Sequence, residues 1–398
     1  MNHDATQRIV LRRKVSFHRT RSMGPLAAGP LGMETMADLA EPSLDQAEMT
    51  PVEVADLQRD PEVVAIADPM PLKLIEPVGA SEATPATNGN TWGIEAVNAH
   101  TSPFTGAGVV VAVLDTGINS SHVAFDGVQL ERRNFTQGSD DDENGHGTHC
   151  AGTIFGRDVD GLRIGVARGV TKAVIGKVLG PGGGSSGTLA TAINWAYEKG
   201  ANVISMSLGI DFPGFVAELI DRGLPAEAAT SIALEQYRAN VNLFSSLTLL
   251  LSRSSSFSQA AVVISASGNE SQRPRYQIAV APPAAGDGMV SVGALQQSSN
   301  GGLSIASFSN TQCNLCGPGV SITSAWIGGD RALRTINGTS MATPHVAGCA
   351  ALWAEQQKQL TGTVTSENIV AKLLATAAFV PNASFVDVGN GMVQAPQG

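Results

Sequence analysis

Five short apolar runs punctuate the chain after residue 93: Val109–Leu114, Lys172–Val178, Val203–Met206, Ala261–Ala266 and Met289–Val292. Each is largely continuous rather than alternating, which predicts strands buried on both faces, and helical stretches separate them. The pattern predicts an α/β fold with a mainly parallel central sheet covered on both sides. In such sheets reactive groups gather at the carboxyl ends of the strands. Asp115 stands at such an end, in "VVVAVLDTGIN". The first ninety residues read differently. Gln7–Ser16 predicts a strand, Met33–Ala47 a helix, Pro51–Arg59 a second helix and Glu62–Ala67 another strand, together a small α+β module. Glu76–Asn90, "EPVGASEATPATNGN", is rich in Pro, Gly, Ala, Thr and Asn, a composition expected of an exposed linker.

Composition narrows the field. The chain has 398 residues, 43% of them hydrophobic and 15% charged, enough for one large domain plus a smaller unit. Its formal net charge of −10 argues against a general binder of nucleic acid or of anionic membranes. Residues 1–30 carry six Lys/Arg against one acid, whereas residues 31–90 carry twelve acids against two Lys/Arg. This asymmetry is expected of separate modules. The basic start, which includes Arg12-Arg13, lacks the apolar segment of a secretory signal, and no run reaches the ~18 apolar residues of a membrane span. The chain as written is expected to be cytoplasmic, unless export takes another route. Four cysteines do not make a disulfide scaffold, and Cys313 and Cys316 form a lone pair with no second pair to complete a zinc site.

Three glycine-bearing motifs carry the chemistry. The stretch "NGTSMATPHVAG" places Ser340 where a helix is expected to start. A serine there either caps the helix or acts as a nucleophile beside N–H groups able to bind an oxyanion. As a nucleophile it needs an adjacent base. The stretch "NGHGTHCAG" offers His146 on a close turn into a helix, a fixed placement that suits a catalytic imidazole. His146 and His149 lie three apart without the glutamate of a zinc protease. A nucleotide site is disfavoured: Gly106 and Gly108 precede their strand, and "GPGGGSSG" lacks the lysine of a phosphate loop.

Together "AVLDTGI", "NGHGTHCAGT" and "NGTSMATPHVAG" set Asp115, His146 and Ser340 in the order Asp, His, Ser. In these motifs the chain resembles the subtilisin-like serine proteases, the subtilase family, over roughly Thr91 to Gln397. The cysteine after His149 is similar to the proteinase K branch. The resemblance implies a three-layer α/β catalytic domain over 91–398 and a serine endopeptidase working through these three residues. It implies that Asn269, in "SASGNES", shares the oxyanion hole with the Ser340 backbone. It also implies that Ser207, Leu208 and Gly209 wall the specificity pocket, while Gly183 and Gly184 pair with an extended substrate. No cofactor is expected for catalysis. A structural calcium stays unassigned, because Asp158 and Asp160 have Arg157 and Arg163 nearby as ion-pair partners. Residues 1–90 are expected to be an inhibitory propeptide and linker, cut by Ser340 itself between Val78 and Asn90. Protein or peptide substrates and this propeptide are the expected partners. An insertion over 211–260 is longer than the family pattern, and its apolar "VNLFSSLTLLLS" is expected to be buried. The rival reading is a catalytically silent scaffold that binds a partner through this insertion.

Overall fold

The computed structural model describes residues 5–16, 39–79, 89–255, 261–298 and 301–398. The chain begins with strands β1 (Thr6–Ser16) and β2 (Leu39–Met49), helix α1 (Pro51–Leu57), β3 (Val63–Ala67) and β4 (Pro71–Leu74). The first three strands form an antiparallel sheet in the order β2-β1-β3. Helix α1 starts where Thr50 and Glu53 satisfy one another's backbone N–H groups, a capping box with Pro51 at the first position.

The helix expected over Met33–Ala47 is not what its described part forms. Leu39–Met49 is a strand, paired with β1 from Leu39 opposite Ser16 to Met49 opposite Thr6, and residues 33–38 lie outside the described residues. The Ala, Leu and Glu content favours a helix, but propensity is a weak prior against an eleven-residue ladder. Leu44 packs on the core beneath, and Pro42 is tolerated because β2 is an edge strand.

After α2 (Trp92–Ala96) come β5 (Val110–Asp115), β6 (Gln129–Asn134), α3 (His146–Phe155), β7 (Lys172–Lys177), β8 (Gly184–Ser185) and α4 (Ser186–Glu198). They are followed by β9 (Val203–Met206), β10 (Leu208–Ile210), α5 (Phe212–Asp221), α6 (Ala226–Ser255), β11 (Val262–Ala266) and β12 (Met289–Gln297). The chain ends with β13 (Leu303–Ile305), β14 (Leu315–Pro318), β15 (Ile322–Ala325), β16 (Leu333–Ile336), α7 (Thr339–Thr361), α8 (Ser366–Ala375) and α9 (Phe385–Val388). Among the described residues the main sheet has eight strands, seven in the order β13-β12-β11-β9-β5-β7-β6 with β14 beside β12. All its pairings are parallel except β12 with β13.

Alternate residues of β5 face two cores. Val111 and Val113 join the side chains of α3 and α7 on one face, and Ala112 and Leu114 join those of α4 and α6 on the other. The second core also takes Ile9, Leu11, Ala65, Met70 and Leu72 from the N-terminal module. The insertion therefore has two neighbours. Leu243, Phe244, Leu247 and Leu251 of α6 are buried as expected, and the same helix packs on β2 and β3. Gln236 and Asn240 of α6 donate to the Asp68 carboxylate and carbonyl at 3.0 and 2.9 Å. No helix among the described residues is long and apolar enough to cross a membrane.

Candidate active site

Strand β5 ends on Asp115, and the turn that follows directs this buried carboxylate to the first turn of α3. There His146 Nδ1 meets Asp115 Oδ1 at 2.8 Å, and the Thr116 N–H donates to the same oxygen at 2.8 Å. The close approach of strand and helix depends on Gly147, where an added Cβ would lie 2.3 Å from the Gly117 carbonyl. Burial disfavours the imidazolium, but the Asp115 carboxylate together with the neighbouring Cys150 outweighs this and raises His146 well above the ordinary histidine range. Cys150 Sγ lies 3.8 Å from His146 Nδ1 and 3.4 Å from the Ser340 carbonyl. Its burial pushes the thiol up, so it stays neutral at pH 7. The other histidine of the motif is structural. His149 Nε2 faces the carbonyls of Ile322 and Arg334, and burial lowers its pKa to about 3.

Asp142 escaped the sequence reading, where "DDDEN" passes for a solvated acidic run. It is buried. Its Oδ1 accepts from the Thr116 hydroxyl and the N–H groups of Asn144 and Gly145, and its Oδ2 accepts from the Thr148 N–H and hydroxyl. Burial raises its pKa, but these hydrogen bonds prevail and hold it below the usual carboxylate range. One carboxylate thus ties the turn after Asp115 to the helix that begins with His146. Its signal was an aspartate within three residues of the helix start at Gly145, near enough to accept from N–H groups of the turn and the first helical turn.

Ser340 lies in the first turn of α7, behind Gly338 as the N-cap, and its side chain caps nothing. Its Oγ instead donates to the Ile75 carbonyl at 3.0 Å. Asn269 stands across from it. Its Oδ1 accepts from the Thr339 N–H and hydroxyl, each at 2.9 Å, which turns its Nδ2 into the cleft, where it donates to the Glu76 carbonyl at 2.8 Å. Thr339 is a second contributor that motif reading missed.

The five residues expected to bind substrate all border one peptide, residues 71–75 of the chain itself. Strand β4 lies between β10 and β8, antiparallel to both. Leu72 is opposite Gly184 and Ile210, Lys73 opposite Gly209 and Leu74 opposite Leu208, and the Ile75 N–H reaches the Ser207 carbonyl at 3.4 Å. At Gly183, with φ of +81°, an added Cβ would lie 2.5 Å from the Leu72 carbonyl. Ile75 shares a pocket with Gly209, Ala266, Ser267, Gly268 and Glu270.

The chain then runs past Ser340. The Val78 N–H donates to the Asn337 carbonyl at 2.8 Å, and Asn337 Nδ2 donates back to the Val78 carbonyl at 3.0 Å. Glu76 to Val78, read from composition as the start of an exposed linker, are therefore held in the cleft, where the propeptide tail was expected, and residues 80–88 of the expected cut region lie outside the described residues. Away from this site the acids considered for calcium pair otherwise than expected. Asp158 faces Arg168 and Asp160 faces Arg331, while Arg157 and Arg163 donate to backbone carbonyls. Cys313 and Cys316 are buried free thiols with sulfurs 3.7 Å apart.

Comparison with known proteins follows the same line. The subtilase family profile matches residues 106–398. A "Cuticle-degrading serine protease" of Arthrobotrys oligospora is 31% identical over 317 residues, covering 74% of this chain and 67% of that protein. A protein of the same name from Orbilia oligospora is 34% identical over 285 residues, covering 66% of this chain and 56% of its own length. An "Extracellular serine proteinase" of Thermus sp. is 33% identical over 347 residues, 83% of this chain and 70% of that protein. The chain thus spans between 56 and 70% of the lengths of these relatives. By the match of this profile to most of its length, the chain belongs to the subtilase family, the subtilisin-like serine endopeptidases.

Proposed function

We propose that the chain hydrolyses peptide bonds with Ser340 as nucleophile, His146 as general base and Asp115 as the group that orients it, and that residues 1–90 are its inhibitory propeptide and linker. The observation that carries this reading is the course of residues 71–78, an extended peptide held between β8 and β10 with its carbonyls on Ser340 Oγ and Asn269 Nδ2. An added peptide laid along the same two strands brings a carbonyl carbon to Ser340. His146 Nε2 takes the hydroxyl proton as the Oγ–C bond forms. Asn269 Nδ2 and the Ser340 N–H hold the oxyanion. Asp115 keeps the Nδ1 proton in place and stabilises the imidazolium. His146 then protonates the leaving nitrogen, the C–N bond breaks, and water releases the acyl group from Ser340.

The substrates are proteins or extended peptides, because β8 and β10 recognise backbone along both edges of a strand. No step in this reading calls for a cofactor or metal. The name of the Thermus relative favours export over the cytoplasmic expectation. The test is a fluorophosphonate probe applied after the tail is removed by limited proteolysis. Labelling that maps to Ser340 and is lost in Ser340→Ala supports the reading. A folded chain that leaves the probe unreacted supports the silent scaffold instead.

A further inference from the structure

Two sets of hydrogen bonds lead the tail into the site, and they count its residues differently. On the upstream side Lys73 lies opposite Gly209 and the Ile75 N–H reaches Ser207. Counted from there, Ile75 carries the carbonyl at the nucleophile, and Ser340 Oγ does donate to that oxygen. On the downstream side Val78 is bonded in both directions to Asn337, and the oxyanion donor Asn269 takes the next carbonyl along, that of Glu76. Consecutive carbonyls thus divide two groups that acyl transfer needs on a single one.

Neither bond near Ser340 is placed to be cut. Acylation requires that the carbon attacked by Oγ carry the oxygen held by Asn269. At Ile75–Glu76 the hydroxyl hydrogen points to a carbonyl oxygen, and His146 Nε2 is buried with no hydrogen-bond partner among the described residues. At Glu76–Pro77 the oxygen is on Asn269, but the leaving nitrogen belongs to a proline. That nitrogen carries a ring carbon where others carry hydrogen, which crowds the side from which His146 must deliver a proton.

A slip of one residue would align a different bond, yet the tail resists it. Leu72 and Leu74 are buried in the second core while Lys73 is exposed and pairs with Asp211 at 2.8 Å. Moving a strand by one residue exchanges its two faces, which would bury Lys73 and expose both leucines. Proline also fixes its own φ and keeps Glu76 extended, so the path from Ile75 to Val78 is stiff, and it is this stiffness that holds the Glu76 carbonyl carbon away from Ser340 Oγ while β4 stays in register.

We infer that Pro77 decides the fate of the tail: it places a tertiary amide where Asn269 engages the chain, and so makes residues 71–78 a resident inhibitor that Ser340 does not cut. This rests on the catalytic reading of Ser340 given above. A cut within 79–90, made by another molecule, would leave the same residues across both sides of Ser340.

The test compares the full chain with its Pro77→Ala variant by intact mass over time. In the variant the Ser340 Oγ–Glu76 carbon bond forms and the bond from Glu76 to residue 77 breaks. The serine proton passes through His146 to the nitrogen of residue 77, and water then releases Glu76. The product 77–398 should form about a hundredfold faster than in the wild type, the smallest effect expected of well-placed acid catalysis. It should be absent when Ser340→Ala is added. Equal rates at this bond in variant and wild type would overturn the inference. So would rapid cutting of the wild type at Ile75–Glu76 or Glu76–Pro77. Added peptides avoid any folding defect: Pro71–Gly79 should inhibit tail-free enzyme and persist, and its Pro77→Ala counterpart should be consumed. Enzyme labelled at Ser340 that treats both peptides alike sinks the role of Pro77 alone. Enzyme that consumes neither and stays unlabelled sinks the catalytic reading with it.

Discussion

The two faces of the central sheet are built on different terms. On the face of α3 and α7 every buried side chain of the core comes from residues 92–395, and the helices that carry His146 and Ser340 pack directly on each other. On the face of α4 and α6 the core is completed by β1, β3 and β4 of the N-terminal module. The first face assembles the site without the module, and the second holds the module that fills the site. Releasing the module should therefore leave the catalytic side chains where they are and uncover apolar surface on the far side, such as that beside Leu189, Ile193 and Phe244.

The sharpest break between the faces should come from Ser340→Ala. Turnover of an added peptide should fall by about 10⁶, the loss shown by serine-protease nucleophiles. The melting temperature should barely move, since the variant forfeits a single hydrogen bond, to Ile75, worth about 1 kcal/mol. Calorimetry beside a kinetic assay checks both halves. The reverse pattern should follow from Phe244→Ala in α6, which opens a cavity in the shared core. A loss of about 3–5 kcal/mol in stability is expected, together with more fluorophosphonate labelling of the intact chain, because the module that holds the tail is loosened. Lost stability with unchanged labelling would mean that the second face does not control the tail.

A smaller effect should come from Asn269→Ala, which acts on the site and the tail bound in it and touches neither core. Turnover should fall by roughly 10²–10³, the usual consequence of removing one oxyanion donor, while KM for an added peptide stays within about twofold.

The least effect expected is that of pH. The folded-state pKa of His146 is raised, so stability from the Asp115–His146 pair is fully present below the unfolded value of about 6.5 and is lost as pH rises through the folded value. Proteolysis runs the other way, because the base must be neutral. Activity should climb on the alkaline side while the melting temperature of the uncut Ser340→Ala chain declines. His146→Gln in that background should flatten the decline.

Much of the site was legible because short motifs fix it. Asp115, His146, Asn269 and Ser340 each sit in a turn or helix start whose glycines leave few alternative paths, as the close approach at Gly147 illustrates. The strands β5, β7, β9 and β11 were legible because burial on both faces forces a continuous apolar run. What was hidden depends on partners far away in sequence. Leu39–Ala47 reads as part of a helix over Met33–Ala47 until β1 is beside it. By composition alone Glu76–Val78 reads as exposed linker, because its partners, Asn269 and Asn337, lie about two hundred residues or more downstream. Asp142 reads as one charge in an acidic run because the groups that bury it are mostly backbone N–H donors.

The Ala67–Pro71 connection from β3 to β4 is only a few residues long, and it ties the tail to the module. Under the proposed function the tail is an inhibitor joined through 79–90 to the domain it fills, so it acts at an effective concentration on the order of millimolar, and dilution of the protein does not lower it. Any free substrate must outcompete that local supply. An intact chain should therefore show an inflated apparent KM, one that stays the same at every enzyme concentration. Once the 80–88 segment is severed the inhibitor becomes a separate species, and apparent KM should begin to fall with dilution. The dilution series thus reads out whether a given preparation is one chain or two.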